Sequence, residues 1–277
     1  MEKIIERKGC RKPDQLRDVT VSFNVFGYSS GSVLLEIGNT KVLCSVSLQQ
    51  HVPNFLKGKK IGWLTAEYAM LPTSSATRVP REASIMRRNG RSVEISRLIG
   101  RSLRSIVDLS LLGERTIFVD CDVLQADGGT RTACITGAFL ALRAAVDHWL
   151  NNKIIRENIL TDSLAAISVG IVDGTALLDI DFSEDSNADA DFNFVITRSN
   201  NIVELQGSSE GATVSWQQFE QVKDLAIKGV NDLFEAGNTF FDKEIVAASS
   251  QNKDTNKDNK KTAPLFSLFN RQKNIET

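Results

Sequence analysis

The feature that most constrains the fold is a strand that leads through two glycines directly into a long apolar helix. Residues 115–124 read RTIFVDCDVL and alternate apolar with polar side chains, as a half-buried β-strand does. They are followed by QADGGTRTA, and from about 132 to 150 apolar residues recur at helical spacing. This order predicts a core helix packed on a sheet, with Gly128 and Gly129 in the turn between them.

Further strands and helices are predicted on both sides of this unit. Hairpins are expected around Gly38-Asn39-Thr40 and Asp173-Gly174, and FNFVIT and IVELQG form a third strand pair. Amphipathic helices are predicted at about 92–109 and 216–236, the second with a Ser215–Gln218 capping box and Gly237 as its stop. The polar stretch from about 50 to 90 is interpreted as a long loop.

Strands followed by helices in each half predict an α+β fold with two similar lobes, at about 11–152 and 153–240. Both lobes are predicted to lie within a single domain over 1–246. The remaining 247–277 are polar and of low complexity, which predicts a disordered extension.

Composition bounds the class of protein. The chain has 277 residues, 42% apolar and 24% charged, enough for one large or two small globular domains. No window approaches the roughly 18 apolar residues of a membrane span, and the first residues lack the apolar core of a secretory signal. We therefore expect a cytoplasmic protein with no membrane partner.

Charge is distributed unevenly although the formal net charge is only -1. Between 78 and 104 there are eight arginines and two acids, and between 179 and 191 there are six acids and no base. The eight arginines are Arg78, Arg81, Arg87, Arg88, Arg91, Arg97, Arg101 and Arg104. One positive and one negative patch suggest an anionic substrate, such as a ribose-phosphate backbone, and a metal cation.

The turn at DGGTRTA is a candidate phosphate site. The helix begins after Thr130, so backbone N–H groups would point out of its N-terminus, beside Arg131 and two threonine hydroxyls. The motifs of nucleotide P-loops and dinucleotide-binding folds are both missing from the sequence. A glycine turn with an ordinary helix cap remains the alternative from spacing alone.

The acidic stretch DIDFSEDSNADADFN is a candidate metal site. Asp185, Asn187 and Asp189 fit the first ligands of an EF-hand loop, but Ala190 and Ile196 replace its required glycine and glutamate. Asp185 and Asp191, six residues apart, could hold Mg²⁺ with substrate oxygens and water. A solvated acidic loop remains the alternative.

Other catalytic chemistries find little support. Only two histidines are present, His51 and His148, and neither has the setting of a hydrolase triad. The four cysteines lack metal-ligand spacing, and Cys44 and Cys121 lie in apolar strand patterns as buried thiols do.

Several separate stretches resemble the ribonuclease PH family of phosphorolytic 3′–5′ exoribonucleases. They are PDQLR, GSVLLEIGNTKVLCSVS, GWLTAEYAMLP, GRSVEISRLIGRSLRSIVDL, GERTIFVDCDVLQADGGTRTACITGA, EDSNADADFN and VELQGSSEG. The resemblance covers about 11–237 and implies duplicated β–α lobes, with mixed sheets and packed helices. It further implies a homo-hexamer built as a trimer of dimers, transfer RNA precursors and other RNAs with a free 3′ end as substrates, and inorganic phosphate as co-substrate.

The resemblance also implies roles for individual residues. Phosphate would be held by Arg91, Gly129, Thr130 and Arg131. Asp185 and Asp191 would bind Mg²⁺ and supply acid catalysis, with Arg131 also part of the catalytic set. RNA would be bound by Arg78, Arg81, Arg87 and Arg88. The arginine stripe on the helix predicted at about 92–109 adds Arg97 and Arg101 as candidate RNA-binding residues.

Two departures from the family pattern, in NGRSVEI around Arg91 and at Ala69, remove no charged group. The alternatives are an inactive RNA-binding ring subunit and a metal-dependent exoribonuclease that uses water as its nucleophile.

Overall fold

The structure is a computed structural model that describes residues 7–81 and 89–254, with side chains as far as 237 and at 239. By its internal contacts the chain divides into Met1–Asn238 and Thr239–Thr277. The described part of the second unit is helical throughout. The sheets and the candidate site lie in the first unit.

The first sheet has five strands in the order β1-β2-β3-β5-β4. The strands are β1 (Val19–Phe23), β2 (Gly31–Ile37), β3 (Thr40–Gln49), β4 (Trp63–Met70) and β5 (Thr116–Gln125). β4 pairs with β5 in parallel, and every other neighbouring pair is antiparallel. The sheet is therefore mixed.

The second sheet has four antiparallel strands in the order β7-β6-β8-β9. Its strands are β6 (Leu164–Val172), β7 (Thr175–Leu178), β8 (Ala190–Thr197) and β9 (Ile202–Ser209). All of β6 except its last residue is buried, as expected for a strand covered on both faces.

Four α-helices accompany the sheets in the described residues. They are α1 (Gly90–Arg104), α2 (Thr130–Asn151), the single turn α3 (Phe182–Asp185) and α4 (Trp216–Asp254). Short 3-10 turns occupy Lys8–Cys10 and Asn54–Leu56.

Helix α2 is the centre of the core, since it contacts strands of both sheets. Small residues allow this close packing. A Cβ added at Gly31 would overlap the carbonyl oxygen of Ala141, and one added at Gly137 would lie 2.9 Å from the Cys44 sulfur. Trp149 is fully buried at the other end of the helix. The helix thus fixes where its N-terminal end meets the second sheet.

The α+β class predicted from the sequence is confirmed, but three elements differ. The helix predicted at about 92–109 ends at Arg104, because Val107 instead forms a β-bridge with Leu160. The stretch predicted as a loop contains β4 at 63–70, with Leu64, Ala66 and Tyr68 buried against the core. Gly237 does not stop α4, which continues to Asp254. A Cβ at Gly237 would lie 3.3 Å from Leu140 Cδ2, so this glycine permits close helix packing instead. The predicted Ser215–Gln218 capping box is present.

The predicted disordered extension, 247–277, falls mostly outside the described residues, and 247–254 belong to α4. Among the helices described, none combines the length and apolar character needed to cross a bilayer.

Candidate active site

A cavity of about 620 Å³ lies where the N-terminal end of α2 meets the second sheet. One part of its wall comes from the turn between β5 and α2 and from the first turn of α1. The other part comes from α3, β8 and β9. The structure thus brings together six residues that the sequence analysis singled out for phosphate or metal, namely Arg91, Gly129, Thr130, Arg131, Asp185 and Asp191.

The turn before α2 leaves the helix N-terminus open toward the cavity. Gly128 and Gly129 both have positive φ, +82° and +65°, a region that L side chains rarely occupy. Gly129 is the N-cap residue, and no side chain caps the helix. The first N–H groups of α2 therefore lack the usual capping acceptor, as an anion site requires.

Gly128 is also needed because the turn lies against the acidic segment of the second lobe. A Cβ at Gly128 would lie 2.7 Å from the carbonyl oxygen of Ile180 and 2.8 Å from the Cα of Asp181. Backbone therefore meets backbone, and a larger residue would push the two walls of the cavity apart.

The two threonines of the turn have different tasks. The Tyr68 hydroxyl donates to Thr130 Oγ1 at 3.2 Å, which orients the Thr130 hydroxyl. Burial raises the pKa of Tyr68 to about 12, so it remains a neutral donor. Thr132 donates its own proton to the Gly129 carbonyl at 2.9 Å. Its hydroxyl thus stabilises the turn and is not available to donate to a ligand, unlike our expectation from the sequence.

Two arginines bring positive charge to the cavity. Arg131 Nη1 donates to Gln206 Oε1 on β9 at 2.8 Å, and Nη1 lies 3.9 Å from Glu94 Oε1. Arg91 lies in the first turn of α1, where Asn89 accepts its backbone N–H. The Arg91 side chain is exposed and lines the cavity. An anion here would meet two guanidinium groups beside the open helix end.

The acidic wall is held in place by a buried ion-pair network. Asp181 and Glu184 form a reciprocal capping box at the start of α3, at the end of which lies Asp185. Both oxygens of Glu184 accept from the guanidinium of Arg7, at 2.7 and 2.9 Å, and one also accepts from Arg11 at 3.1 Å. The N-terminal segment thereby fixes the turn that presents Asp185.

Asp191 and Asp185 face each other as like charges. On β8, Asp191 accepts from Ser208 Oγ at 2.6 Å and from Asn193 Nδ2 at 3.3 Å. The Asp185 side chain still reaches solvent, yet desolvation by the cavity wall raises its pKa. The charge of Asp191 raises this pKa further, whereas the charges of Arg91 and Arg131 lower it. An adjacent pair of carboxylates can attract a divalent cation or hold a proton.

The donor set fits Mg²⁺ if the substrate supplies part of the shell. No group of three or more His, Cys, Asp or Glu side chains among residues 7–81 and 89–254 is placed to hold a metal ion. Two carboxylates are available, and Mg²⁺ in proteins is commonly bound through one or two carboxylates, with phosphate oxygens and waters as the other ligands.

Arg17, which no sequence pattern singled out, joins the two walls. Its guanidinium donates to both oxygens of Asp179 at 2.9 and 2.6 Å, and its backbone N–H donates to the same carboxylate at 2.8 Å. Its Nη1 also donates to the carbonyl of Asp127, at 2.5 Å, directly before the glycine turn. In the sequence, Arg17 stood out only as the last residue of the PDQLR stretch. No local pattern indicates that it pairs with Asp179, which lies 162 residues further along the chain.

The predicted RNA-binding arginines do not line the cavity as far as they are described. Arg97 and Arg101 lie on the exposed side of α1, and Arg101 pairs with Glu204 of β9 at 3.1 Å. Arg78 and Arg81 are exposed. Arg87 and Arg88 lie outside the described residues. Arg104, the last of the stripe, donates to the Leu64 carbonyl and packs over the Trp63 ring.

Comparison with known proteins assigns the chain to a family. Residues 15–146 match domain 1 of the 3′ exoribonuclease family, RNase PH, and residues 162–229 match its domain 2. Ribonuclease PH of Neisseria meningitidis is 51% identical over 225 residues, which cover 81% of this chain and 93% of the relative. Ribonuclease PH of Neisseria gonorrhoeae is 51% identical over 223 residues, 80% of this chain and 92% of the relative.

Solved structures have the same fold. A chain of the Archaeoglobus fulgidus exosome, solved with RNA bound to the active site, superposes with a TM-score of 0.69 at 25% identity, over 83% of this chain and 92% of that chain. A chain of an archaeal exosome core gives 0.64 at 23% identity, over 82% and 89%. With two family domains in order and 51% identity over the 225 residues aligned to such a relative, the chain belongs to the ribonuclease PH family of 3′ exoribonucleases.

Proposed function

We propose that the chain is a phosphate-dependent 3′–5′ exoribonuclease, a transfer RNA nucleotidyltransferase that shortens RNA from its 3′ end. The observation that carries this proposal is the arrangement around one cavity of an open helix N-terminus, two arginines and two carboxylates. Membership of the ribonuclease PH family supports the same activity. The substrates we propose are transfer RNA precursors and other RNAs with a free 3′ end.

Inorganic phosphate is the proposed nucleophile. It would bind at the N–H groups that open α2, with Thr130 and the guanidinium groups of Arg91 and Arg131 completing its contacts. Because phosphate is already an anion at neutral pH, no histidine base is needed to activate it. This agrees with a cavity wall that contains no histidine among the described residues.

The reaction exchanges one phosphorus–oxygen bond for another. A phosphate oxygen forms a bond to the last phosphodiester phosphorus of the RNA, and the bond from that phosphorus to the 3′ oxygen of the penultimate nucleotide breaks. The 3′ oxygen takes up a proton and becomes the new RNA end. The terminal nucleotide leaves as a nucleoside diphosphate. One phosphoanhydride replaces one phosphodiester, so the reaction is reversible and can add nucleotides when diphosphates are abundant.

The two carboxylates serve the leaving group and the transferred charge. Asp185 is the proposed general acid because desolvation and its charged neighbour raise its pKa, which favours holding a proton. Asp191, held by Ser208 and Asn193, is the proposed second carboxylate of the pair. Asp191 and the ionised form of Asp185 would hold Mg²⁺, which would supply neutralisation of the negative charge that builds at the reacting phosphorus centre.

RNA is proposed to follow the exposed arginines of α1. Arg97 and Arg101 lie about 9 and 15 Å along the helix axis from Arg91. The Arg101–Glu204 pair is largely at the surface, where such pairs contribute about 0–1 kcal/mol, so an RNA phosphate can replace Glu204. Arg78, Arg81, Arg87 and Arg88 are proposed to extend this surface. We further propose that the enzyme is a cytoplasmic homo-hexamer arranged as a trimer of dimers.

The first prediction concerns the nucleophile and Arg131. A short single-stranded RNA incubated with Mg²⁺ and phosphate should release nucleoside diphosphates, and without phosphate it should stay intact. Arg131→Ala should lower the rate by at least about 10²-fold, because it removes a preorganised contact to the anion. Arg131→Lys should fall in between, since it keeps the charge but loses the planar fork.

Product analysis by chromatography separates the alternatives. Monophosphates formed without phosphate would indicate hydrolysis, and RNA binding without any product would indicate an inactive subunit. A normal rate for Arg131→Ala would remove Arg131 from the phosphate site.

The second prediction concerns Asp185. Its pKa is raised in the folded protein, so ionisation costs stability above that pKa and the cost disappears as pH falls through it. Asp185→Asn should therefore increase the free energy of unfolding at pH 7–8 without divalent metal, with a smaller difference from wild type at acidic pH. The same variant should lose at least about 10²-fold in phosphorolysis.

Urea titrations across pH measure the stability effect, and Glu220→Gln, an exposed carboxylate on α4, is the matched control. An Asp185→Asn protein that is less stable than wild type at neutral pH, or fully active, contradicts the assignment.

The third prediction concerns the RNA-binding surface. Each arginine that neutralises an RNA phosphate contributes about -0.7 to the slope of log affinity against log salt. Replacing Arg97 and Arg101 together by glutamine should flatten the slope for single-stranded RNA by about 1.4. Arg156→Gln, at an exposed arginine beyond the C-terminal end of α2, should leave the slope unchanged. An equal slope for the double variant and the wild type would place the RNA elsewhere.

A further inference from the structure

Ser168 presents a buried hydroxyl to the cavity without a partner in the protein. The residue lies on β6, and only 5% of its surface is exposed. Within the described part of the chain, three buried side-chain oxygens make no hydrogen bond, those of Ser74, Ser102 and Ser168. Of these three residues, only Ser168 lines the cavity.

A buried hydroxyl without a partner is costly. Leaving a buried donor unsatisfied costs about 1–3 kcal/mol, and most buried polar side-chain atoms in native proteins are paired. Two residues to either side on the same face of β6 are Ala166 and Gly170, so the fold needs only a small side chain there. Alanine would fill nearly the same space without the cost. A ligand that accepts the Ser168 proton would offset it.

The surroundings of the hydroxyl indicate what that ligand is. Ser168 Oγ lies 3.6 Å from the position of a Cβ on Gly129, the N-cap of the 22-residue helix α2. From the same point, Arg17 Nη2 is 3.3 Å away. The Arg17 guanidinium is already paired with Asp179, so its charge is largely balanced. The hydroxyl donor and the uncapped helix start converge on one region, and groups of this kind favour an anion.

We propose that Ser168 is a phosphate-binding residue whose hydroxyl donates to an oxygen of the inorganic phosphate held at the start of α2. In the reverse reaction the same hydroxyl would contact the β-phosphate of a nucleoside diphosphate. This inference rests on the proposed phosphorolytic function and adds a contact from the second sheet. The phosphate site is then completed by both lobes, so it forms only when the two sheets are correctly packed on α2.

Phosphorolysis by Ser168→Ala, measured with phosphate as the varied substrate, is the first test. Removing a hydrogen bond to a charged group should raise the KM for phosphate about 10-fold or more, with the KM for RNA unchanged. The matched control is Ser102→Ala, because Ser102 has an equally unpartnered buried hydroxyl on α1 but does not line the cavity. Its phosphate KM should equal that of the wild type.

Phosphate binding without RNA is a second readout that does not depend on catalysis. Phosphate that binds the folded protein stabilises it by an amount that grows with the logarithm of the phosphate concentration divided by its Kd, so it should raise the melting temperature of the wild type and of Ser102→Ala. Ser168→Ala should need about 10-fold more phosphate for the same shift. Without phosphate, both alanine variants should be at least as stable as the wild type, since each loses an unsatisfied hydroxyl.

The outcomes separate this inference from the proposed function. If the wild type depends on phosphate and Ser168→Ala keeps its phosphate KM and thermal shift, the hydroxyl faces only a water molecule and the inference is overturned alone. If Ser168→Ala loses stability and RNA affinity together with phosphate affinity, the hydroxyl has a structural role and the inference is again overturned. A wild type that degrades RNA equally well without phosphate overturns the proposed function itself.

Discussion

The active-site cavity depends on the buried ion pair between Arg17 and Asp179. Their side chains are only 7% and 3% exposed, and the guanidinium also donates to the Asp127 carbonyl. A buried ion pair contributes little net stability, because both charges lose their hydration. Its main effect here is to hold two segments of the chain in a fixed relative position. Arg17 ties the glycine turn of one lobe to the acidic segment of the other. Together with the close approach of Gly128 to Ile180 and the Arg131–Gln206 hydrogen bond, it fixes the position of one wall relative to the other.

The two walls divide the chemistry between them. The first lobe contributes the helix N-terminus and the guanidinium groups of Arg91 and Arg131, which favour an anion. The second contributes Asp185 and Asp191, which favour a cation or a proton. A chain with a formal net charge of -1 can therefore present positive and negative charges around the same cavity. A phosphate dianion attacking a phosphodiester needs such an arrangement, because negative charge must be brought together and then neutralised.

Much of the fold around the site, and several of the candidate site residues, could be predicted because they depend on local sequence patterns. The alternation of β5, the apolar period of α2 and the two glycines between them led to the turn, and charge clustering led to Asp185 and Asp191. The failures are non-local. Strand β4 is stabilised by parallel pairing with β5, which begins more than 45 residues further along the chain. Its short alternation of apolar and polar residues lies within a polar stretch, which was therefore interpreted as a loop.

Partnerships across the chain could not be predicted at all. The residue that Arg17 contacts is decided by how β7 packs beside the N-terminal segment, which no periodicity encodes. The unpartnered Ser168 hydroxyl is visible only once the neighbours of β6 are known. Gly237 misled the prediction of the helix end, because a glycine that stops a helix and one that permits close packing look the same in sequence.

The most direct test of the account follows the oxygen atoms of phosphate. RNA would be degraded by the enzyme in ordinary water with ¹⁸O-labelled inorganic phosphate, and the released nucleotides analysed by mass spectrometry. The account predicts nucleoside diphosphates that keep every labelled oxygen, either as a terminal oxygen of the β-phosphate or as the bridge to the α-phosphorus, because phosphate attacks that phosphorus without losing an oxygen. Unlabelled nucleoside monophosphates, with oxygen taken from water, would contradict it.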